Sequence, residues 1–171
     1  KIPGPPRPIS GMAEETADRQ AFATLVRDNE QALARIARHY AAPQERDDLL
    51  QEILLQLWRS RDGFDGRASA STWVYRVALN TALSHRRKPR RAHEPLDAAP
   101  ERGEAHAGDA LLALERFLDA LDPLQRAVLL LDLEGLSREQ AAEVLGLTPN
   151  AVAIRLTRLR QAFEAQLLEH A

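Results

Sequence analysis

The sequence predicts an all-α fold of two small helical domains joined by a flexible linker, the C-terminal domain containing a helix-turn-helix. Three observations predict it. Apolar residues recur at helical spacing along nearly the whole chain, and no alternating run marks a strand. Residues 92–108 mix Pro95, Pro100, Gly103, small residues and charges with almost nothing apolar, which is linker composition. Finally, the stretch from Leu136 to Val152 carries a cap, a short apolar helix, a glycine, a second cap and a proline, in that order. The boundaries that follow are 1–11 for a tail, 12–91 for the first domain, 92–108 for the linker and 109–171 for the second domain.

The tail holds four prolines and two glycines, which neither a helix nor a regular strand accommodates. It reads as an expression remnant ahead of a natural start at Met12, with a short proline-rich docking tail as the alternative. From Phe22, the apolar positions Leu25, Val26, Leu33, Ile36, Ala37 and Tyr40 make one helical stripe, which Pro43 ends. A second amphipathic helix carries Leu50, Ile53, Leu54, Leu57 and Trp58, with Asp47 and Asp48 in its first turn, where the helix dipole favours negative charge. Asp62-Gly63-Phe64-Asp65-Gly66 is turn chemistry, and the loop runs on to Ser71, the expected N-cap of a third helix. That helix spans Thr72 to about Arg87, with Trp73, Val74, Val77, Ala78 and Thr81 inward.

The second domain opens with a helix bearing Leu111, Leu114, Leu118 and Leu121. Asp122-Pro123 with Gln125 starts the next helix, because an aspartate accepts from the first-turn N–H groups and proline lacks one that would go unmet. Gly135 closes it. Ser137 then caps a short helix with Gln140 reaching back to it, and Gly146 supplies the left-handed residue after its last apolar position. Thr148 and Pro149 open the final helix, whose Leu156, Leu159, Phe163 and Leu167 form an inward stripe. Ala142 is small where the two helices cross, and Val152 faces the same contact. The pair reads as a helix-turn-helix, whose second helix enters a DNA major groove; a plain helical hairpin is the alternative.

Bulk composition narrows the function. In 171 residues, 44% are hydrophobic and 28% charged, enough for ordinary cores under a water-compatible surface. A net charge of −2 and a pI near 6.2 argue against indiscriminate coating of nucleic acid. Without cysteine there are no disulfides, no thiolate catalysis and no cysteine-ligated zinc. No apolar run approaches the roughly 20 residues of a membrane span, nor does the start read as a secretory signal, so a cytoplasmic location is expected. His39, His85, His93, His106 and His170 are scattered without metal-ligand spacing, and no glycine-rich phosphate loop is present. The expectation is therefore no enzyme, no cofactor, no metal and no small-molecule substrate.

Charge is segregated along the chain. Between Gly66 and His93 stand Arg67, Arg76, Arg86, Arg87, Lys88, Arg90 and Arg91, with no acidic residue among them. Solvated helix faces mix signs, so a run of one sign points to phosphate contacts. Phe64, Trp73 and Tyr75 lie beside it and could stack on unpaired bases, core packing being the alternative for Trp73 and Tyr75. The opposite sign gathers at Asp47, Asp48 and Glu52, on a helix whose Gln51 and Leu55 fall off the inner stripe: a protein-docking face, or else a plain solvated one.

These pieces, in this order, resemble the extracytoplasmic-function (ECF) group of bacterial RNA polymerase sigma factors, over nearly everything after Met12. Asp48-Leu49-Leu50-Gln51-Glu52-Ile53-Leu54-Leu55-Gln56-Leu57-Trp58 looks like the group's core-polymerase-binding helix. Phe64 followed by Ser71-Thr72-Trp73-Val74-Tyr75-Arg76-Val77-Ala78-Leu79-Asn80 looks like its downstream-promoter segment. Leu121-Asp122-Pro123-Leu124-Gln125-Arg126-Ala127-Val128, leading into Gly135-Leu136-Ser137 and the helix-turn-helix, is similar to its upstream-promoter domain. The resemblance implies an alternative sigma factor that binds core RNA polymerase and directs promoter recognition, melting and transcription initiation. It implies core-polymerase contacts at Asp47, Asp48, Gln51, Glu52, Leu55 and Trp58. Downstream DNA would meet Phe64, Arg67, Ser69, Ser71, Trp73, Arg76, Asn80, Arg86, Arg87 and Lys88, with a flipped base held by the loop 64–71. Upstream DNA would meet Thr148, Asn150, Ala153, Ile154, Arg155, Thr157 and Arg158. It implies promoter DNA and core polymerase as partners, and an anti-sigma factor, often membrane-anchored in this group.

The chain departs from the group's pattern in the last helix. Where the group commonly has Gly-Thr-Val followed by a basic residue and a serine, this sequence has Asn150-Ala151-Val152-Ala153-Ile154. Ala153 and Ile154 offer base edges no hydrogen bond. Upstream readout would then lean on Asn150, Thr157 and apolar contact with thymine methyls, while Arg155, Arg158 and Arg160 hold phosphates. Leu54 also stands where an aromatic is common. Two other readings compete: a sigma-factor mimic that sequesters an anti-sigma protein without touching DNA, and an ordinary helix-turn-helix regulator. The first gains from Ala153 and Ile154 and loses from the acid-free basic run; the second gives no reason for the Asp48–Trp58 segment.

Overall fold

The computed structural model describes residues 10–87 and 107–169, with side chains from 16 to 85 and from 111 to 168. All regular structure among them is helical. The N-terminal half comprises α1 (Ser10–Asp28), α2 (Glu30–Tyr40), α3 (Arg46–Ser60) and α4 (Ala70–Arg87). The C-terminal half comprises α5 (Ala107–Ala120), α6 (Pro123–Leu133), α7 (Arg138–Leu145) and α8 (Pro149–Glu169). In the first half α2, α3 and α4 pack on one another around Leu33, Ile36, Leu49, Ile53, Leu57, Val74, Ala78 and Leu79. In the second, α6, α7 and α8 enclose Val128, Leu131, Ala142, Val152, Leu156 and Leu159. The buried apolar residues of both halves form one contiguous cluster.

Where the sequence expects one helix from Phe22 to Tyr40, the structure has two, broken at Asn29. The cause is local: the Asn29 amide donates to the Leu25 carbonyl at 2.8 Å, and the Asn29 N–H turns to Val26 O at 3.2 Å. A side chain that competes for the backbone ladder ends a helix. α1 also begins earlier than its apolar stripe, at Ser10, inside the expected tail. The rest of that tail, and the linker up to residue 106, lie outside the described residues. α4 is capped by Ser69 and not by Ser71: the Ser69 hydroxyl accepts from Thr72 N at 3.1 Å and bonds Thr72 Oγ1 at 2.8 Å. Ser71 is left exposed in the first turn.

Two leucines of the expected apolar stripes, one of them expected inward, are outward. Leu111 is 58% exposed, and Leu167 lies a turn past the last inward contact of α8, the Phe117–Phe163 pair with ring centroids 5.1 Å apart. The caps of the C-terminal half form as their residues dictate. Asp122 accepts from Leu124 N and Gln125 N at 2.9 and 3.0 Å, with Pro123 at the first helical position.

Candidate nucleic-acid interface

The turn between α7 and α8 is built from short-range chemistry. Ser137 N donates to Gln140 Oε1 at 2.8 Å, and Gln140 N donates back to Ser137 Oγ at 3.2 Å, meeting two first-turn donors at once. Gly146 ends α7 with φ of 66°, a conformation that a side chain would strain. Thr148 Oγ1 accepts from Ala151 N at 3.1 Å and starts α8. α8 therefore leaves the turn with Val152, Leu156 and Leu159 buried against α6 and α7. Its other side presents Thr148, Asn150, Ile154, Thr157 and Arg158 to solvent, with Ala153 and Arg155 half-buried at the edge. Arg155 donates to Ala151 O at 3.1 Å, and the Thr157 hydroxyl donates to Ala153 O at 3.0 Å while keeping its lone pairs for incoming donors. Ile154, Arg155 and Arg158 also line an open groove of about 530 Å³ whose far wall is Asp122, the cap of α6, with Leu124 and Gln125 of that helix. Arg160, expected at phosphates, is tied back to Asp132 at 2.8 Å, which raises its pKa further.

The second candidate surface is α4 with the loop before it. Phe64 is 37% exposed and sits on Trp73, ring centroids 5.4 Å apart. Together with Phe22, Leu25, Asp18, Ala21, Arg61 and Asp62 they line a hollow of about 240 Å³. Trp73 itself is only 8% exposed, in line with the core-packing alternative: it is the floor of the hollow, and Phe64 is the exposed ring. Tyr75 is buried too, its hydroxyl donating to Glu134 at 2.9 Å. Burial and that carboxylate push its pKa well above the usual tyrosine value. Arg67 pairs with Asp65 at 3.1 Å across a turn in which Gly66 takes φ of 73°. Asn80 is exposed, whereas Arg76 reaches across to Glu143 of α7 at 2.6 Å. The side chains of Arg86, Arg87 and Lys88 lie outside the described residues.

On α3, Asp47, Asp48, Gln51 and Leu55 face solvent, Leu55 being 46% exposed. Glu52 and Trp58 do not join them freely. Glu52 meets His85 Nδ1 of α4 at 3.0 Å; Trp58 takes Phe22 edge-on at 5.1 Å, with the Arg61 guanidinium over its ring at 3.9 Å. Among the described residues no group of three His, Asp or Glu could hold a metal ion, and no helix is long and apolar enough to cross a membrane.

Comparison with known proteins decides the family. Residues 25–92 match the family model described as Sigma-70 region 2, and residues 111–163 the one described as Sigma-70, region 4. The chain is 30% identical over 165 residues to RNA polymerase sigma factor NccH of Alcaligenes xylosoxydans xylosoxydans, covering 88% of each protein. It is 33% identical over 153 residues to ECF RNA polymerase sigma factor SigM of Mycobacterium tuberculosis, covering 86% of this chain and 78% of that one. The chain belongs to the ECF sigma factors. Its fold is theirs: it superposes on CnrH, solved in complex with the cytosolic domain of CnrY, with TM-score 0.68 and 29% identity over 90% of this chain and 91% of that one. RpoE of Bartonella quintana, solved with the anti-sigma factor NepR, shares the fold at TM-score 0.64 and 20% identity, over 88% and 96% of the two chains. The protein is thus an alternative sigma factor that directs transcription.

The sigma factor also has a seam between its halves that sequence reading missed. Arg126 is 5% exposed and donates to Leu118 O, Asp119 O and Leu121 O at 2.7–3.0 Å, and across the seam to His39 O. Tyr40 donates to Pro123 O at 2.7 Å. His39 is buried beside Asp119, Nδ1 to Oδ1 3.1 Å, and desolvation holds its pKa below 6.5 against the pull of that carboxylate. No periodicity announces such a residue. The one signal is an arginine in the otherwise apolar run Ala127 to Leu131 and its flank, where a buried cation needs several acceptors.

Proposed function

We propose that this sigma factor works through three surfaces. The outward face of α3, with Asp47, Asp48, Gln51 and Leu55, docks on core RNA polymerase, while Glu52 and Trp58 brace it from beneath. The loop 64–71 and α4 melt and hold the downstream element through Phe64, Arg67, Ser69, Ser71, Arg76, Asn80 and the basic end Arg86, Arg87 and Lys88, with Trp73 as pocket floor. α8 enters the upstream major groove with Thr148, Asn150, Ala153, Ile154, Arg155, Thr157 and Arg158. Taking a base out of a duplex costs a few kcal/mol, which base capture and phosphate contacts must together offset.

The observation that carries this reading is the two-sidedness of α8. Val152, Leu156 and Leu159 fix one side in the core, and the opposite side stands open as a groove-reading helix must. The chain acts in the cytoplasm as a specificity subunit without catalytic chemistry of its own, on promoter DNA and polymerase and on no small molecule. We also infer an anti-sigma partner, supported by the complex of CnrH with the cytosolic domain of CnrY.

Run-off transcription with purified core polymerase on templates randomised in the upstream element tests the reading. A good base contact discriminates by about 1–3 kcal/mol and a phosphate contact hardly at all. Arg158→Ala should therefore lower output evenly across the library, and Asn150→Ala should change which templates are used. A wild-type chain that binds an anti-sigma protein but yields no promoter-dependent transcript would instead support the sigma-mimic reading.

A further inference from the structure

The outward side of α8 has an apolar centre. Ile154 is 45% exposed, although Val152, Leu156 and Leu159 of the same helix are buried in the core. Residues three and four positions away are a helical residue's surface neighbours, which sets Asn150, Thr157 and Arg158 around Ile154, all of them exposed. Arg155 is half-buried and turns back to Ala151 O, away from the front of the helix. From Thr148 to Phe163 there is no acidic residue, so nothing on this stretch repels phosphates. Ile154 lies beyond the first turn of α8, where the backbone N–H groups are taken by the helix itself. The one group it can present to DNA is its hydrocarbon side chain.

We propose that Ile154 is a specificity-determining residue that reads the C5 methyl group of a pyrimidine, and that it accepts 5-methylcytosine as it accepts thymine. The proposal rests on the reading of α8 as the upstream-groove helix. The thymine methyl is the one apolar group that unmodified base pairs show in the major groove. Thymine and cytosine differ at C4, where the first offers an oxygen acceptor and the second an amino donor. A side chain with a donor or an acceptor would tell them apart; isoleucine has neither. Ala153, half-buried next to it, adds none. What Ile154 distinguishes is therefore the methyl group: thymine from uracil, and 5-methylcytosine from cytosine. An upstream element with cytosine at that base pair is used more strongly once the cytosine is methylated, so its transcription responds to DNA methylation at C5.

The test uses the full chain with core polymerase in run-off transcription. The preferred upstream element, taken from the randomised library above, is resynthesised with thymine, uracil, cytosine or 5-methylcytosine at the pyrimidine of one base pair at a time. At one base pair thymine should exceed uracil about fourfold, the effect of burying one methyl-sized group, about 0.8 kcal/mol. At the same base pair 5-methylcytosine should exceed cytosine by a similar factor. Within each comparison the two templates differ by the methyl alone. Ile154→Ala should bring both ratios to one there and leave the other preferences in the element as they were. The side chain is exposed, so its truncation costs little stability. Two results would overturn the proposal. One is the lack of any base pair at which both ratios exceed one. The other is ratios that persist in Ile154→Ala, because the methyl then acts through the shape of the DNA. Asn150→Ala separates this from failure of the underlying reading. A shifted upstream preference in Asn150→Ala, with no methyl effect traced to Ile154, ends the proposal alone. An element that neither variant alters removes α8 as the upstream reader, and the proposal with it.

Discussion

At the scale of single residues, Arg126 is a buried cation with bonds on both sides of the seam. The carbonyls it satisfies at Leu118, Asp119 and Leu121 belong to the end of α5 and the turn after it, where a helix leaves its last acceptors unmet. Its fourth partner, His39 O, belongs to the other half. Arg126→Met should lower stability by roughly 3–5 kcal/mol in urea unfolding, because buried acceptors lose a charged donor. Arg126→Lys should recover only part of this, since a point-charge ammonium cannot serve four diverging acceptors as a planar fork does. An Arg126→Met variant as stable as wild type would show that the seam does not depend on it. His39 gives a pH signature. Its folded-state pKa lies below 6.5, chiefly through burial, so the unfolded chain takes the proton more readily. The stability it contributes is present above about pH 6.5 and is lost as pH falls through its folded-state value. Thermal unfolding followed from neutral to mildly acid pH should show a falling midpoint, and His39→Gln should flatten that fall. Parallel profiles for the two proteins would contradict this assignment.

At the scale of elements, what could be read from the sequence is what depends on neighbours in the chain. The capping box of Ser137 and Gln140, the left-handed Gly146, the aspartate cap of α6 and the inward Val152 each rest on residues a few positions apart, and each is formed. The break at Asn29 escaped because an asparagine within an apolar stripe looks like an ordinary polar position until its side chain takes a backbone carbonyl. Ser69 caps α4 in place of Ser71 for a similar reason: two serines stand near the helix start, and only geometry selects one. The α3 face follows the same division. Leu55 and Gln51 were legible as outward, but the tie from Glu52 to His85 was not. The docking test therefore belongs on Asp47 and Asp48, which are exposed, and not on Glu52, whose removal would disturb α4. Asp47→Lys with Asp48→Lys should keep the helical circular dichroism signal and the urea midpoint nearly unchanged, as exposed charges contribute little to stability. The same double variant should lose most of its capture by core polymerase in a pull-down. Undiminished capture of the folded variant would remove α3 as the docking face.

At the scale of the whole molecule, the sequence suggested two domains and a linker but not how they meet. Arg76 and Glu143 stand 67 positions apart, and a pairing at that distance leaves no trace in periodicity or spacing. Of the acid-free basic run, Arg76 meets a carboxylate of the second half, and Arg35 and Arg38 of α2 meet two more. The pair with Glu143 leaves Arg76 partly exposed, and Asn80 and Phe64 stand at the surface. The recognition helix, which carries Ala153 and Ile154 where base-bonding groups would serve, should then supply less of the promoter discrimination than α4 and its loop do. The most direct measurement is run-off transcription with core polymerase on templates randomised in the downstream element, sequencing the transcripts made by wild type, by Asn80→Ala and by a chain with residues 64–71 replaced. Both variants should shift the preferred downstream sequence while still starting transcription from some templates. An unchanged preference in both would contradict the assignment of promoter specificity to α4 and the loop before it.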